Sequence, residues 1–207
     1  MNTVSSEEKI KKAALKEFAD HGFEGARIDR IARIARINKA MIYYHFNSKE
    51  SLYESILSTF YTMIVQRLIN RIPKDKNPHE QLETIISEFI DFIKELDQNF
   101  VKMMLRELSS GGKYFKKLML PQVILPMLKI VQDIFAAGKK SGIFNDVIPQ
   151  ITFIQIMGSI VFSNALRITL ADTDIGKVLF PNDFFDKFRA NLLTIIKTGI
   201  LRDKEEA

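Results

Sequence analysis

Apolar residues recur along most of the chain at the three- and four-residue spacing of an amphipathic helix. In the first segment, Ile10, Ala14 and Phe18 follow one another at intervals of four residues. Continued along the chain, this spacing predicts about nine helices, over residues 7–21, 28–35, 39–46, 48–72, 79–96, 100–108, 121–137, 147–170 and 182–201. No segment alternates between apolar and polar residues as a strand does, so the predicted fold class is all-α.

Capping residues and glycine-rich stretches mark the predicted helix ends. Ser6 and Asn38 stand where an N-cap is expected, and Gly22 stands where a left-handed residue would end the first helix. Asn47 and Glu50 have the spacing of a capping box, which predicts a helix from about residue 48. The stretch SSGGK at 109–113 predicts a break between two helices.

Residues 28–46 contain two short helices behind the longer first one. One side of the first short helix is apolar and carries Ile28, Ile31, Ala32, Ile34 and Ala35. Its other side carries Asp29, Arg30, Arg33 and Arg36. Because only residues 36 and 37 lie between the first short helix and the N-cap Asn38 of the second, the pattern predicts a tri-helical unit with a helix-turn-helix over about 26–46.

The second short helix has an outer face of aromatic and basic residues. Ile42 and Phe46 have the spacing of an inward-facing pair. The outer surface then carries Lys39, Met41, Tyr43, Tyr44 and His45. A helix in the major groove reads bases with such a face, and hydroxyls and lysines at its edges donate to phosphates. Two alternatives stay open: Tyr43 packs between helices, and His45 caps or packs.

Composition and charge narrow the class of protein. The chain has 207 residues, 46% of them hydrophobic, which is too apolar for disorder. It has no cysteine, which excludes disulfides and fits a reducing cytoplasm, and its charged N-terminus has no signal-peptide pattern. Arg167 argues against a membrane span over residues 151–171, so no membrane partner is predicted. Residues 27–39 hold five basic residues and one acid, which fits either an anionic partner or a solvated charged face.

The stretch FADHGFEGARIDRIARIARINKAMIYYHFNSKESLYESIL resembles the N-terminal domain of the TetR family of one-component transcriptional regulators. The resemblance covers about residues 7–57 and rests above all on IYYHF at 42–46 followed by SKESL at 48–52. It implies a ligand-responsive regulator, commonly a repressor, that binds a palindromic DNA operator as a homodimer and is released by a small effector. The implied domains are residues 1–57 for DNA binding and 58–207 for ligand binding and dimerisation.

Family roles carry over to particular residues in the N-terminal domain. The resemblance implies DNA contacts from Lys39, Met41, Tyr43, Tyr44 and His45, a phosphate contact from Lys49, and a phosphate-seeking side chain at Arg27 in place of the family's common hydroxyl. Arg36 replaces a glycine that is often left-handed, so strain of about 1 kcal/mol is expected in the turn. Met41 lacks the hydroxyl of the family's common threonine, so hydrogen-bond readout there is weakened.

The resemblance also implies two functional surfaces in the remaining residues. The last two long helices are apolar on more than one face and are expected to pair with their copies through Met157, Ile160, Val161, Asn164, Phe188, Leu192, Ile195 and Ile196. Sixteen phenylalanines and eight methionines would form adaptable apolar walls, which favours a small lipophilic effector. Candidate ligand contacts are Phe60, Met63, Phe89, Phe92, Met103, Met104, Phe115, Met127 and Phe153.

An enzyme is the main rival class, and the sequence speaks against it. The three histidines have no metal-spaced or triad-spaced partners, and there is no phosphate-binding glycine loop. No enzyme activity, metal or cofactor is therefore predicted. The alternative function is a non-regulatory helical module that binds a lipophilic ligand or a partner protein, in which case its basic segment would be incidental.

Overall fold

The computed structural model describes residues 5–201, apart from the side chain of Ile69. Within that range the chain is all-α, as predicted, and contains ten α-helices and one π-helix. The elements are α1 (Ser6–Gly25), α2 (Ile28–Ala35), α3 (Lys39–Phe46), α4 (Lys49–Arg71), α5 (Pro78–Glu95), α6 (Gln98–Ser109), the π-helix (Phe115–Ile124), α7 (Leu125–Lys140), α8 (Pro149–Thr169), α9 (Asp174–Leu179) and α10 (Phe184–Ile200).

Two of these elements were not among the predicted helices. The short helix α9 has only six residues, too few to show an apolar period, and depends on Thr173, whose side chain accepts from the backbone N–H of Gly176. The π-helix contains Pro121, where the sequence pattern places the start of an α-helix. Proline cannot continue an α-helical ladder because it lacks an N–H and its ring meets the preceding turn. The following α-helix accordingly begins only at Leu125.

Helix caps follow the expected chemistry but not always the expected residue. Asn38 is the N-cap of α3, as predicted, and accepts from the N–H of Ala40 at 2.9 Å. The N-cap of α1 is Ser5, which forms a capping box with Glu8, so the prediction of Ser6 is wrong by one residue. The capping box predicted for Asn47 is also wrong. That residue has a φ of 61° at the end of α3, and the hydroxyl of Ser48 accepts from the N–H of Ser51 instead.

The described residues divide into two compact units whose boundary lies inside α4. The first unit contains the residues up to Met63 and Leu96–Val123, and the second contains Ile64–Glu95 and the residues from Ile124 onward. The first unit therefore includes α6 and most of the π-helix as well as the helices near the N-terminus. Its core forms where α1 packs against α2, α3 and α6.

A buried carboxylate joins three segments of the first unit. Glu107 of α6 is 5% exposed, and its Oε2 accepts from the Tyr53 hydroxyl of α4 at 3.0 Å. Its Oε1 accepts from the backbone N–H groups of Tyr114 at 2.6 Å and Phe115 at 3.1 Å. Burial, followed by the charge of Glu107, raises the pKa of Tyr53 far above its usual range, so the phenol stays protonated and donates. We call these four residues the Glu107 network.

In the second unit, α5 packs against α7, α8 and α10, and α7 packs against α8. Ion pairs reinforce the contact of α5 with α10, since Arg189 pairs with Asp91 and Lys197 with Glu83. The end of α10 is fixed by the backbone N–H of Asn145, which donates to the carbonyl of Ile200 at 2.7 Å.

Two described segments, Phe115–Lys140 and Pro149–Thr169, are long and apolar enough to cross a membrane by length and composition, a test that core helices of soluble proteins also pass. Only about a third of the α8 window is buried, so its own chain leaves much of its apolar surface uncovered. Near the end of α8, Arg167 donates to Asn164 and its guanidinium carbon lies 5.1 Å from the centroid of the Phe185 ring. The guanidinium of Arg167 is therefore stabilised by contacts with Asn164 and the Phe185 ring.

Candidate nucleic-acid interface

The turn between α2 and α3 is built around a left-handed arginine. Arg36 has φ 56° and ψ 48°, the conformation that the resemblance implied at this position. The N–H of Ile37 donates to the carbonyl of Ala32 at 3.1 Å, which closes the end of α2 as in a Schellman motif. The helix-turn-helix geometry is therefore kept without the usual glycine.

We predict that Arg36→Gly raises the free energy of unfolding by about 0.5–1 kcal/mol, because glycine removes the left-handed penalty but adds entropy to the unfolded chain. Urea denaturation at fixed protein concentration measures the change. Arg33→Gly is the matched control: Arg33 lies inside α2, so the same substitution should destabilise by about 1 kcal/mol. A loss of stability in the Arg36 variant would contradict the prediction.

The outer face of α3 presents the predicted residues to solvent. Ile42 and Phe46 are buried, as predicted, at 1% and 6% exposure. Tyr44 is 80% exposed, and Met41 and Tyr43 are exposed to 37% and 43%. The structure thus brings an apolar side chain and two phenols together on an open surface of the first unit.

Lys39 at the start of α3 is paired across the turn. Its Nζ lies 2.7 Å from Oδ1 of Asp29 on α2, and both side chains are largely exposed. The hydrogen bond from Lys39 lowers the pKa of Asp29, and the same bond raises the pKa of Lys39. Exposed pairs of this kind are weak, so a phosphate or a base edge can displace the carboxylate at small cost.

Asp29→Asn is therefore expected to tighten duplex DNA binding by about two- to five-fold per protomer, since it removes an anion from the basic face and frees Lys39. Fluorescence anisotropy with a labelled duplex provides the measurement. The gain should shrink as salt rises, because it is electrostatic. Asp172→Asn, a change to an exposed acid of the second unit, should leave the affinity unchanged. Unchanged or weaker binding by the Asp29 variant would show that Lys39 does not contact DNA.

Arg27 and Arg30 of the basic segment both contact Glu17, Arg27 through its backbone and Arg30 through its side chain. Glu17 of α1 is 2% exposed and accepts from Arg30 Nε at 2.6 Å and from the backbone N–H of Arg27 at 3.0 Å. Arg30 is therefore committed to holding α2 against α1. The side chain of Arg27 forms no cap on α2 and is exposed, so it can still reach a phosphate.

The last two predicted DNA contacts lie in more enclosed places. His45 is half-buried, its ring centroid is 5.4 Å from that of Tyr44, and its Nε2 is buried without a partner in the part of the chain that the structure describes. Lys49 at the start of α4 is turned toward α1, where its Nζ lies 2.8 Å from the carbonyl oxygen of Phe23. Sequence reasoning missed this contact because nothing in the local pattern pairs position 49 with position 23.

The helix-turn-helix described above coincides with a family model. Residues 10–56 match the model described as bacterial regulatory proteins, tetR family. This segment, which contains most of α1 and all of α2 and α3, is therefore a TetR-type DNA-binding domain.

Known TetR proteins are similar to this chain at modest identity. The HTH-type transcriptional repressor NicS of Pseudomonas putida is 28% identical over 195 residues, which cover 93% of this chain and 89% of NicS. The negative transcriptional regulator IcaR of the biofilm operon icaADBC in Staphylococcus aureus is 30% identical over 97 residues, 46% of this chain and half of IcaR. Among solved structures, the ketosteroid transcriptional regulator KstR2 of Mycobacterium tuberculosis shares the fold, with a TM-score of 0.75, 19% identity and 98% of each chain covered.

The nine predicted ligand contacts are distributed over both units. Phe60, Met63, Met103, Met104 and Phe115 lie in the first unit, and Phe89, Phe92, Met127 and Phe153 lie in the second. Several are core residues: Met103 is fully buried, Met127 is 2% exposed, and the Phe60 ring stacks on Phe100 with centroids 3.7 Å apart. Met63, in contrast, is 49% exposed.

A cavity of about 350 Å³ lies in the second unit and contains none of those nine residues. It is lined by Ile72, Lys74, Gln81, Ile130, Asp133, Ile134 and Ala137. Its walls are mainly aliphatic, and Lys74 and Asp133 supply one cation and one anion. Gln81 fixes the rim, since its Nε2 donates to the carbonyls of Pro73 at 3.0 Å and Lys76 at 3.1 Å.

The residues predicted for a dimer interface differ widely in exposure. Ile160, Asn164 and Ile196 are buried within their own chain at 1%, 2% and 4% exposure. Met157, Phe188 and Leu192 are half-buried, whereas Val161 and Ile195 are exposed. The apolar residues that α8 leaves open are mostly others, and we call this set the α8 stripe: Ile151, Ile154, Val161, Phe162 and Leu166. Their spacing of three, seven, one and four residues marks one helical face.

Proposed function

We propose that this protein is a ligand-responsive repressor that binds an inverted-repeat operator as a homodimer. The observation that supports DNA reading most directly is the open face of α3, where Met41, Tyr43 and Tyr44 stand beside the basic N-terminus of the same helix. Such a face reads bases with its first turn and contacts phosphates with its phenols. The similarity to NicS and IcaR, both named as repressors or negative regulators, favours repression over activation.

We propose that the second copy covers the α8 stripe. Phe162 and Ile154 are 64% and 68% exposed, and a row of large apolar side chains on one helix is unusual for a monomer surface. Helix α10 also exposes small side chains at Ala190 and Thr194, one turn apart, which would allow close approach of another helix. In a symmetric dimer the same stripe meets its own copy, and two α3 helices about 34–36 Å apart enter successive major grooves.

We further propose that the cavity of the second unit takes the effector. A volume of about 350 Å³ is within the range of small-molecule sites. Its aliphatic walls select an apolar body, and Lys74 or Asp133 can pair with one polar or charged end. The inferred ligand class is thus a small lipophilic molecule with a single polar group. An effector that binds preferentially to one conformation of the dimer would shift the conformational equilibrium away from the DNA-binding conformation. The shift in free energy would be about 1–3 kcal/mol.

Selection of bound sequences from a random duplex library, at about 150 mM salt, tests the DNA-binding proposal. An enriched inverted repeat would support it, and six to eight phosphate contacts would give a slope of log affinity against log salt of about −5 to −7. If the protein retains duplexes but no sequence motif is enriched among them, its DNA binding is non-specific. No retention would favour the alternative of a helical module that binds a ligand or a protein without regulating transcription.

The effector proposal is tested by melting temperature and by DNA release with a panel of aromatic and acyl compounds. A compound that raises the melting temperature and releases the enriched duplex should lose both effects in Ile130→Trp, which fills the cavity. Leu105→Trp, at an exposed position of α6 in the first unit, is the matched control. Full activity of the compound on the Ile130 variant would place the effector site elsewhere.

A further inference from the structure

The C-terminal end of α1 presents carbonyl groups that its own sequence does not satisfy. Gly22 interrupts the helix with φ 68° and ψ 176°, and the chain leaves the helix at Ala26 in an extended conformation. The last carbonyls of a helix have no intrahelical partners and carry partial negative charge. The last turn of α1 contains no basic residue that could neutralise them.

Three cations from other helices of the first unit occupy this end, and we call the group the α1 cap: Arg30 of α2, Lys49 of α4 and Arg106 of α6. Arg30 Nη2 donates to the carbonyl of Gly25 at 2.6 Å. Arg106 donates through Nε to Ala19 at 2.7 Å and through Nη2 to Asp20 at 3.0 Å. Three different helices thus each place a positive charge at the end of α1.

Lys49 is the most fully engaged member of the α1 cap. Its Nζ donates to the carbonyls of Phe23 at 2.8 Å and Ala26 at 3.3 Å, with a third, longer contact of 3.5 Å to Glu24. It also lies 4.6 Å from the centroid of the Phe23 ring, within the range of a cation–π contact. A lysine ammonium has three N–H donors, so these carbonyls occupy its donor capacity.

We propose that Lys49 and Arg106 are positioning residues for operator binding, which act by fixing the end of α1 to α4 and α6. In this role Lys49 is not a phosphate ligand, although the family resemblance implies one. α1 packs against both α2 and α3, so a shift of its end moves the reading helix. The inference rests on the proposed operator binding for its functional consequence, but the cap itself is independent of DNA.

The test compares Lys49→Met, Lys49→Arg and Arg106→Met with the wild-type protein in operator affinity over a salt series. Methionine keeps the length and loses the donors, so affinity should fall on the order of ten-fold for either methionine variant. The slope of log affinity against log salt should not change, because no counterion-releasing contact is lost. Lys49→Arg should recover most of the affinity, since a guanidinium can donate to the same carbonyls.

A phosphate role predicts a different result. Lys49→Met would then make the slope shallower by about 0.9 per protomer, and that outcome would overturn the proposal for this residue. If either methionine variant binds the operator with wild-type affinity, the proposal fails for the residue that was substituted. Lys12→Met, at an exposed position of α1, controls for the loss of a positive charge and should leave the affinity within two-fold.

The melting temperature without DNA separates the two proposals. If the wild-type protein enriches no operator, the proposed function fails, but the α1 cap still predicts that Lys49→Met melts several degrees lower and Lys49→Arg close to wild type. If the methionine variant melts at the wild-type temperature, the cap contributes nothing and the inference fails, whatever the DNA result.

Discussion

Replacing Glu107 with alanine is expected to lower the free energy of unfolding by about 3–5 kcal/mol, enough to unfold a large fraction of a marginally stable protein. The substitution leaves the Tyr53 hydroxyl and two backbone N–H groups without their acceptor in an enclosed site. It also opens a cavity where the buried side chain stood. Urea denaturation followed by circular dichroism, at fixed protein concentration, measures the change.

Two comparisons separate the loss of the Glu107 network from a general effect of removing a glutamate. Tyr53→Phe removes one hydrogen-bond donor, but the Glu107 carboxylate still accepts from the backbone N–H groups of Tyr114 and Phe115. This substitution should therefore lower the free energy of unfolding by only about 1 kcal/mol. Glu24→Ala, at an exposed position of the same unit, should change stability by less than about 0.5 kcal/mol. A Glu107→Ala protein that unfolds within 1 kcal/mol of the wild type, roughly the value of a single hydrogen bond, would show that water replaces the carboxylate.

Phe162→Asp is expected to convert the proposed dimer to monomers and to weaken operator binding at least about 100-fold. In a symmetric interface each substitution occurs twice, so two carboxylates would be desolvated close to one another, at a cost of several kcal/mol. A monomer binds a single half-site and loses the gain from linked binding, which is commonly 10²–10⁴-fold. Sedimentation velocity gives the oligomeric state, and anisotropy with the selected duplex gives the affinity.

Leu125→Asp is the matched control for this experiment. Leu125 is 54% exposed on α7, outside the α8 stripe, so an aspartate there should leave a dimer with wild-type affinity. A Phe162→Asp protein that remains a dimer would exclude the α8 stripe as the interface. If the wild-type protein is itself monomeric, another partner must cover the stripe, and the proposed operator symmetry would fail with it.

Local patterns predicted the helix-turn-helix because its determinants are close in sequence. The inward pair Ile42 and Phe46 and the cap at Asn38 each follow from neighbours within a few residues. The left-handed conformation at position 36 was implied by the family resemblance. The helical class of the remaining chain followed from periodicity in the same way. Boundaries were less accurate because competing caps, such as Ser48 and Asn47, have similar propensities.

Tertiary packing decides what the sequence left open. Both sides of α8 are apolar, and only the packing against α5 and α7 determines that Ile160 is buried and Phe162 exposed. The partners of Lys49 are backbone carbonyls more than twenty residues away, which no side-chain pattern encodes. The cavity residues come from the loop after α4, from α5 and from α7, so no single segment marks them. Exposed apolar positions on α8 could have been suspected because this helix carries apolar residues on more than one face.

The α1 cap has a consequence for how this protein can change over evolutionary time. Its acceptors are main-chain oxygens, which every amino acid possesses, so residues at positions such as Asp20 and Glu24 can be exchanged without loss of the contacts. Its donors are side chains, and each of the three must reach a fixed point with a positive charge. Exposed positions such as Asp20 and Glu24 should therefore tolerate substitution freely in a saturation library. Lys49 and Arg106, in contrast, should accept little other than another long cationic side chain.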